Sequence, residues 1–398
     1  MKDIHIVIYS LLHAGGGGRE TWLDMFLPEL YKQTAGKIDI FVYYVERNKC
    51  DNLINSVSDP RFHFIPIKAL ISSCFIADIF TLMRYTFRVS FLLRKNVSDN
   101  SFVLCVGSFY ELFPVWIIRK FVRRKNRFKY IVWLRTIWAK QMKALRNGKI
   151  ARIVLGFERK NLKKADLIIA NGWDTAAYYE KMNLKSVVIP NAIRIRDYQK
   201  VEKLQTLSHP VVIAYIGRLS QEKGLKNYLQ SILFFNSSYP LLKKEIRFEV
   251  VGDGPLKDDV LNFKSENFIY RGSIPNKNMI SYINTIHAGV ALTYSDGELG
   301  GGAGVSNQLL ELVAAKRLII AWNTKIFTQV LSETNAFLIP QFDVGALANV
   351  YREIIENSPN VIKKLEGLDL VCQRFSLKRH VELFIDSLYK LDDEGKTC

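Results

Sequence analysis

Short apolar runs, many of them rich in Val and Ile, alternate along this chain with stretches whose apolar residues recur every three or four positions. The runs predict strands at Ile4–Ser10, Ile38–Tyr44, Phe62–Pro66, Phe102–Gly107, Tyr130–Leu134, Leu167–Asn171 and Val187–Pro190. A second set falls at Val211–Gly217, Arg247–Val251, Phe268–Arg271, Ala288–Thr293, Leu318–Ala321 and Ala336–Ile339. Continuous apolar runs separated by helical patterns are what parallel strands require when helices cover both faces of a sheet. The chain therefore reads as α/β. Pro190-Asn191, followed by the charged and weakly patterned Arg194–His209, marks a boundary. A chain of 398 residues exceeds a single domain of about 150. The expected division is 1–190, 191–375, and a last helix and tail over 376–398, the helix running from about Ser376 to Leu391.

Composition adds limits. Hydrophobic residues make up 48% and charged residues 24%, ordinary for a protein with proper cores. No uninterrupted apolar stretch reaches about 18 residues, so no membrane-spanning helix is expected. Met1–Leu12 reads as a first strand running into a glycine loop rather than as a signal peptide. The five cysteines (Cys50, Cys74, Cys105, Cys372, Cys398) are scattered without metal-ligand spacing, which suits reduced cytoplasmic thiols.

The net charge of +18 is unevenly placed. Residues 1–190 hold 31 Lys and Arg against 15 Asp and Glu, whereas residues 191–398 hold 25 against 23. Within the first half, residues 84–164 carry 21 basic residues and three acidic ones. A basic face of this kind implies polyanions: nucleic acid, an anionic membrane surface or phosphate-bearing substrates. Two helix-like segments, Ile76–Lys95 and Val115–Lys129, interleave basic and aromatic residues. The first sets Phe80, Met83, Phe87 and Phe91 on one side, with Arg84, Arg88 and Lys95 on another. Such helices either lie in a membrane interface or pack on a core with a solvated charged face. No nucleic-acid-binding module pattern is present.

The densest candidate chemistry follows the run Val211–Ile216: Gly217-Arg218-Leu219-Ser220-Gln221-Glu222-Lys223-Gly224. A buried strand ends in glycine, two fixed cations follow, and a second glycine opens the next helix. Cations and a helix N-terminus at the carboxyl end of a parallel strand suit a diphosphate. Gly15–Gly18, after the first strand, lets backbone approach a ligand closely, and the next helix is expected to start near Arg19. Gly297–Gly304 precedes a helix whose first amides, near Val305, Ser306 and Asn307, are placed to hold phosphate or sugar hydroxyls, with Ser306 or Asn307 as its cap. The six histidines show no pairing at ligand spacing and read as structural or surface residues.

The Gly217–Gly224 segment resembles the G-R-L-x-x-x-K-G signature of family 4 glycosyltransferases, which have the GT-B fold. Gly15–Glu20, Val188–Ile193, Val251-Gly252-Asp253-Gly254-Pro255 and Gly304–Glu311 resemble further family motifs in the expected order. The resemblance implies two Rossmann-like domains facing a central cleft, the first acceptor-binding and the second nucleotide-sugar-binding, with the last helix returning to the first. It implies a retaining transferase that needs no metal ion and no cofactor beyond the donor. It places Arg218 and Lys223 on the donor diphosphate and Glu311 on the nucleotide ribose. Gly16, Gly17, Gly18, Gly217, Gly254, Gly304, Val305, Ser306 and Asn307 complete the expected substrate-binding residues. The acceptor it suggests is a lipid-linked or membrane-proximal glycan of bacterial surface polysaccharide, met at the inner face of the plasma membrane. Nucleic acid is not an expected partner.

Two positions depart from the family. Ala303 stands where the first glutamate of E-x7-E belongs, which leaves Glu298 or Asp296 as the replacement carboxylate, or a different donor sugar, or a protein that binds without catalysing. After the fifth strand, Arg135 occupies the region where many members carry a histidine, and it is a candidate for an anionic sugar or lipid diphosphate. A non-catalytic nucleotide-sugar-binding partner and a nucleic-acid-binding α/β protein remain as rival readings.

Overall fold

A computed structural model describes residues 3–11, 18–46, 59–69, 75–121, 128–135, 137, 148–294 and 305–394. The chain divides into two compact units. The first holds the described residues up to Pro190 and from His380 onward, and the second holds those from Asn191 to Arg379.

The first unit is built on seven parallel strands: β1 (Ile4–Leu11), β2 (Ile40–Glu46), β3 (Phe62–Lys68), β4 (Phe102–Val106), β5 (Lys129–Leu134), β6 (Leu167–Ala170) and β7 (Val187–Val188). Their order across the sheet is β3-β2-β1-β4-β5-β6-β7. The order reverses between β1 and β4, paired from Ile4 opposite Phe102 to Val7 opposite Cys105. Such a switch point opens a crevice at the carboxyl ends of the two strands. Every residue of β4 is buried, as the uninterrupted apolar run required. Helix α1 (Gly18–Gln33) follows β1, α2 (Phe75–Asn96) joins β3 to β4, and α3 (Leu112–Phe121) follows β4.

Two sequence expectations shift. The second strand lies two residues later than Ile38–Tyr44, and Val115–Lys129 is not one helix, because α3 stops at Phe121 and Lys129 already belongs to β5. Of that segment's four arginines Arg119 alone lies among the described residues, where it is exposed yet anchored to its own unit. Arg119 lies 5.3 Å over the Tyr130 ring and donates to the Lys164 carbonyl.

The last helix, Leu377–Glu394, brings His380 against the first unit. Trp22 Nε1–H donates to His380 Nε2 at 2.9 Å, and His380 Nδ1–H donates to the Pro190 carbonyl at 2.7 Å. Trp133 and Phe26 enclose the ring. Both nitrogens are committed to one neutral tautomer, and burial, with Arg135 nearby, pulls its pKa down to about 3.

The second unit repeats the plan with six parallel strands: β8 (Val211–Ile216), β9 (Ile246–Val251), β10 (Phe268–Gly272), β11 (Ala288–Ala291), β12 (Leu318–Trp322) and β13 (Phe337–Ile339). The order is β10-β9-β8-β11-β12-β13, so the switch point lies between β8 and β11. All of β8, β11 and β12 is buried.

Candidate functional site

At the carboxyl edge of the second sheet, two glycine turns interlock. Gly217 leaves β8 with φ +141° and Gly252 leaves β9 with φ +139°, conformations that side chains rarely adopt. Gly217 N–H donates to the Val251 carbonyl and Gly252 N–H to the Gly272 carbonyl, both at 2.9 Å. A Cβ on Gly252 would stand 1.8 Å from the Gly217 carbonyl oxygen, and one on Gly254 would stand 2.6 Å from the Leu219 carbonyl oxygen. Leu219 N–H closes the pair by donating to the Asp253 carbonyl at 3.0 Å. Gly252 and Gly254 therefore set backbone against backbone, whereas Gly217 is demanded by its φ. Gly252, noticed in the sequence only as part of a motif, is the tightest position of the three.

Arg218 extends from this turn into solvent. Lys223, half-buried, ends the single 3-10 turn Gln221–Lys223, and Gly224 then starts the helix Leu225–Ser238. The Tyr215 hydroxyl donates to the Arg218 carbonyl at 2.7 Å and Tyr294 N–H donates to the Glu222 carbonyl at 3.0 Å, which fixes the backbone that carries both cations.

The helix Asn307–Ala314 approaches the same edge. Ser306 is its cap, since Ser306 Oγ accepts from Leu309 N–H at 3.2 Å. Asn307 is therefore the first helical residue and not the cap. Val305 is held through its carbonyl, which accepts from Asn191 Nδ2 at 2.8 Å. Gln308 Nε2 donates to the Val290 carbonyl, and Gln308 Oε1 lies 3.7 Å from where a Gly217 Cβ would stand. The helix N-terminus and the Gly217 turn are thus neighbours. Glu311, one turn further on, is partly buried, and burial raises its pKa to about 7. Its carboxyl has no hydrogen-bond or ion-pair partner among the described residues, and Ser306 performs the capping. A partly protonated carboxyl one turn behind the first amides of this helix, with the Gly217 turn and its two cations as the helix's neighbour, is equipped to take ribose hydroxyls while the amides and cations take phosphates.

In the first unit, Arg135 is buried with its guanidinium 4.7 Å over the Trp22 ring. Burial, and secondarily Arg19, pulls its pKa down to about 9, so it stays charged at neutral pH. Gly18 is the first residue of α1. Sequence reading missed Glu111 and Glu158. Glu111 is fully buried at the β1–β4 switch point, where its Oε1 accepts from Arg19 Nη1 at 3.0 Å and from Tyr9 N–H at 3.2 Å. A Cβ on Gly107 would collide with its carboxylate. Glu158, also fully buried, accepts from the Tyr179 hydroxyl at 2.6 Å, and burial raises its pKa to about 7. The available signal was scarcity, because these are two of only three acids in residues 84–164. Gly16, Gly17, Asp296, Glu298, Ala303 and Gly304 lie outside the described residues.

A cavity of about 580 Å³ opens before β8, β11 and β12, at their amino ends. Buried Arg317 donates there to the Ile283 and Glu202 carbonyls and to Asn284 Oδ1, which ties loops together.

The chain is similar to known proteins in part of its sequence and in its fold. Residues 210–357 match the family model described as glycosyl transferases group 1. An uncharacterized glycosyltransferase of Methanocaldococcus jannaschii, MJ1059, is 22% identical over 196 residues, which cover 45% of each chain. The alignment thus spans less than half the length of that curated relative. The sucrose-phosphate synthase of Thermosynechococcus elongatus superposes with a TM-score of 0.73 at 15% identity, covering 99% of this chain and all of that one. Anabaena HepE, in complex with UDP and glucose, superposes with a TM-score of 0.65 at 13% identity, covering 98% and 99%. The matched residues lie within the second unit, and the chain as a whole has the GT-B fold of these glycosyltransferase structures.

Proposed function

We propose that this protein transfers a sugar from a nucleotide-sugar donor held at the carboxyl edge of the second sheet. The observation that carries the reading is the convergence of Arg218, Lys223, the Gly217 and Gly252 turns and the amides of helix Asn307–Ala314, with Glu311, unpartnered among the described residues, one turn behind. As the anomeric C–O bond breaks, negative charge grows on the departing diphosphate, and Arg218 and Lys223, carried on a fixed backbone turn, stabilise it by charge-assisted hydrogen bonds. Glu311 accepts from the ribose. Glu298 or Asp296 supplies the carboxylate that Ala303 lacks, and the configuration at the anomeric carbon is retained, as in the family the sequence resembles. The structure with UDP and glucose bound to HepE makes UDP-sugars the first donors to try. The acceptor is a lipid-linked or membrane-proximal glycan of surface polysaccharide, met by the basic first unit at the inner face of the plasma membrane.

The test is thermal stabilisation by a panel of UDP-, GDP-, dTDP- and CMP-sugars. One nucleotide class should raise the melting temperature, and Arg218→Ala with Lys223→Ala should abolish the shift. Turnover should fall by about 10²–10³ for either single change. A shift that survives the double substitution contradicts the site. Ala303 favours a second reading, a nucleotide-sugar-binding partner without turnover of its own. A silent wild type that gains activity on Ala303→Glu would select it.

A further inference from the structure

The first unit carries a surface that the donor reading does not use. Helices α2, α3 and Gly148–Leu162 cover one face of its sheet from a shared core, in which Tyr85, Val89 and Leu93 pack with Val115 and Leu162. Ser90 Oγ donates to the Pro114 carbonyl at 3.2 Å, and Phe113 stacks on Phe157 at 4.5 Å, so the three helices lie side by side with α3 in the middle. On α2, Arg84, Arg88, Arg94 and Lys95 are exposed, and the other two helices expose six more Lys and Arg. Asp78 is the one exposed acid on the three helices among the described residues, for Glu158 is buried.

Along this basic layer runs an apolar ridge. Phe80, Phe87 and Phe91 are 54%, 61% and 61% exposed, with Ile79 and Met83 beside them. At 100° per residue the three rings fall within a sector of about 40°, opposite Val89, and they span about 17 Å of helix. Phenylalanines left in water while the same helix buries Tyr85, Val89 and Leu93 are not surplus core residues. They form a second, outward face. Aromatic rings in line, flanked by arginines whose long stems let the guanidinium reach outward while the ring sinks, are the composition of a helix that lies in a membrane interface.

We infer that this three-helix face docks onto an anionic phospholipid bilayer, with α2 in the membrane plane and Phe80, Phe87 and Phe91 inserted at the level of the upper acyl chains. Charge complementarity selects this occupant. A second copy of the chain would bring ten more cations against these ten. Duplex nucleic acid would satisfy the cations but keep its bases stacked inside, leaving Phe80, Phe87 and Phe91 unmet, and Ile79 and Met83 offer a single strand no stacking face. The inference rests on the acceptor part of the proposed function, which it deepens, and because the surface belongs to the first unit alone it stands or falls independently of the donor reading.

The test uses the full chain and two kinds of sucrose-loaded vesicle, phosphatidylcholine alone and phosphatidylcholine with phosphatidylglycerol. The protein should sediment with the anionic vesicles and stay in solution with the neutral ones. The triple variant Phe80→Ser, Phe87→Ser, Phe91→Ser should lower the partition coefficient about tenfold or more. Arg84→Gln with Arg88→Gln should lower it about fivefold per position. Both variants replace exposed residues, and each should melt with the wild type and keep any nucleotide-sugar shift that it shows. In Phe87→Trp, brominated lipid should quench fluorescence beyond the wild-type level. No anionic-vesicle binding overturns the inference. So does binding that the phenylalanine variant leaves unchanged, and so does a dimer in sedimentation velocity that this variant dissociates. Ridge-dependent binding of single-stranded RNA in place of vesicles would overturn it in favour of nucleic acid.

Discussion

Replacing Gly252 with alanine probes the geometry on which the donor site rests. A Cβ there would stand 1.8 Å from the Gly217 carbonyl oxygen, whereas real Cβ atoms essentially never come closer than 3.0 Å to a neighbour. The turns at the ends of β8 and β9 must therefore part by more than an ångström. Two of the backbone hydrogen bonds that join them are Gly217 N–H to the Val251 carbonyl at 2.9 Å and Leu219 N–H to the Asp253 carbonyl at 3.0 Å. Losing both costs about 1–3 kcal/mol. Holding a Cβ-bearing residue at φ +139° costs about 1–3 kcal/mol more. The sum is roughly 2–6 kcal/mol, a fall of about 10 °C in melting temperature for a unit of this size. The control is Gly272→Ala, at φ +71° with nothing within 4 Å of the added carbon, which should cost only about 1–2 kcal/mol. Differential scanning calorimetry with and without the stabilising nucleotide sugar reads both effects. Gly252→Ala should lose the ligand shift and Gly272→Ala should keep it. A Gly252→Ala protein that melts with the wild type and still responds to the ligand would refute the close contact of the two turns.

Other expectations follow from the titrating groups. Glu158 titrates near 7 in the folded state and in the ordinary carboxylate range when unfolded. Ionisation therefore costs stability progressively from about pH 4.5 to 7, up to about 3 kcal/mol. Relative to the wild type, Glu158→Gln should gain melting temperature as pH rises from 5 to 8, and parallel curves would contradict this. Buried His5, His287 and His380 have pKa values pulled down to about 4, 4 and 3 by burial. Their contribution is complete above about pH 6.5 and falls as acid protonates the unfolded chain, so three histidines outweigh Glu158 and the protein should be acid-labile below pH 6. His287→Gln should flatten that limb, and an unchanged slope would count against a neutral buried ring. For Glu311, donor hydroxyls favour the ionised carboxyl, so UDP-sugar affinity should be about fivefold weaker at pH 6 than at pH 7. Calorimetric titration should show this slope vanish in Glu311→Gln.

Both sheets were legible because strands buried on two faces must be written as uninterrupted apolar runs, as Val211–Ile216 and Leu318–Trp322 are. The Gly217–Gly224 segment was legible because glycine, arginine and lysine have few other reasons to follow a buried strand in that order. Contacts distant in sequence were not legible. Arg135 lies on Trp22, 113 positions away, and a strand-end arginine carries no mark of that ring. The Val115–Lys129 pattern continued past Phe121 on paper because its charges keep a helical spacing, whereas the fold needs Lys129 in β5 beside Phe102. Glu111 and Glu158 look like surface acids until the structure buries them against Arg19 and Tyr179. Phe80, Phe87 and Phe91 posed the reverse problem, since one spacing serves a core stripe and an exposed ridge equally well.

The central claim is the location of the donor, and hydrogen–deuterium exchange with and without the nucleotide sugar tests it most directly. The account predicts ligand-dependent slowing at the amides of Gly217–Gly224, Gly252–Leu256 and Val305–Leu310. Slowing confined to the amino-edge loops around Ser208, His287 and Arg317, with none at the glycine turns, would contradict it.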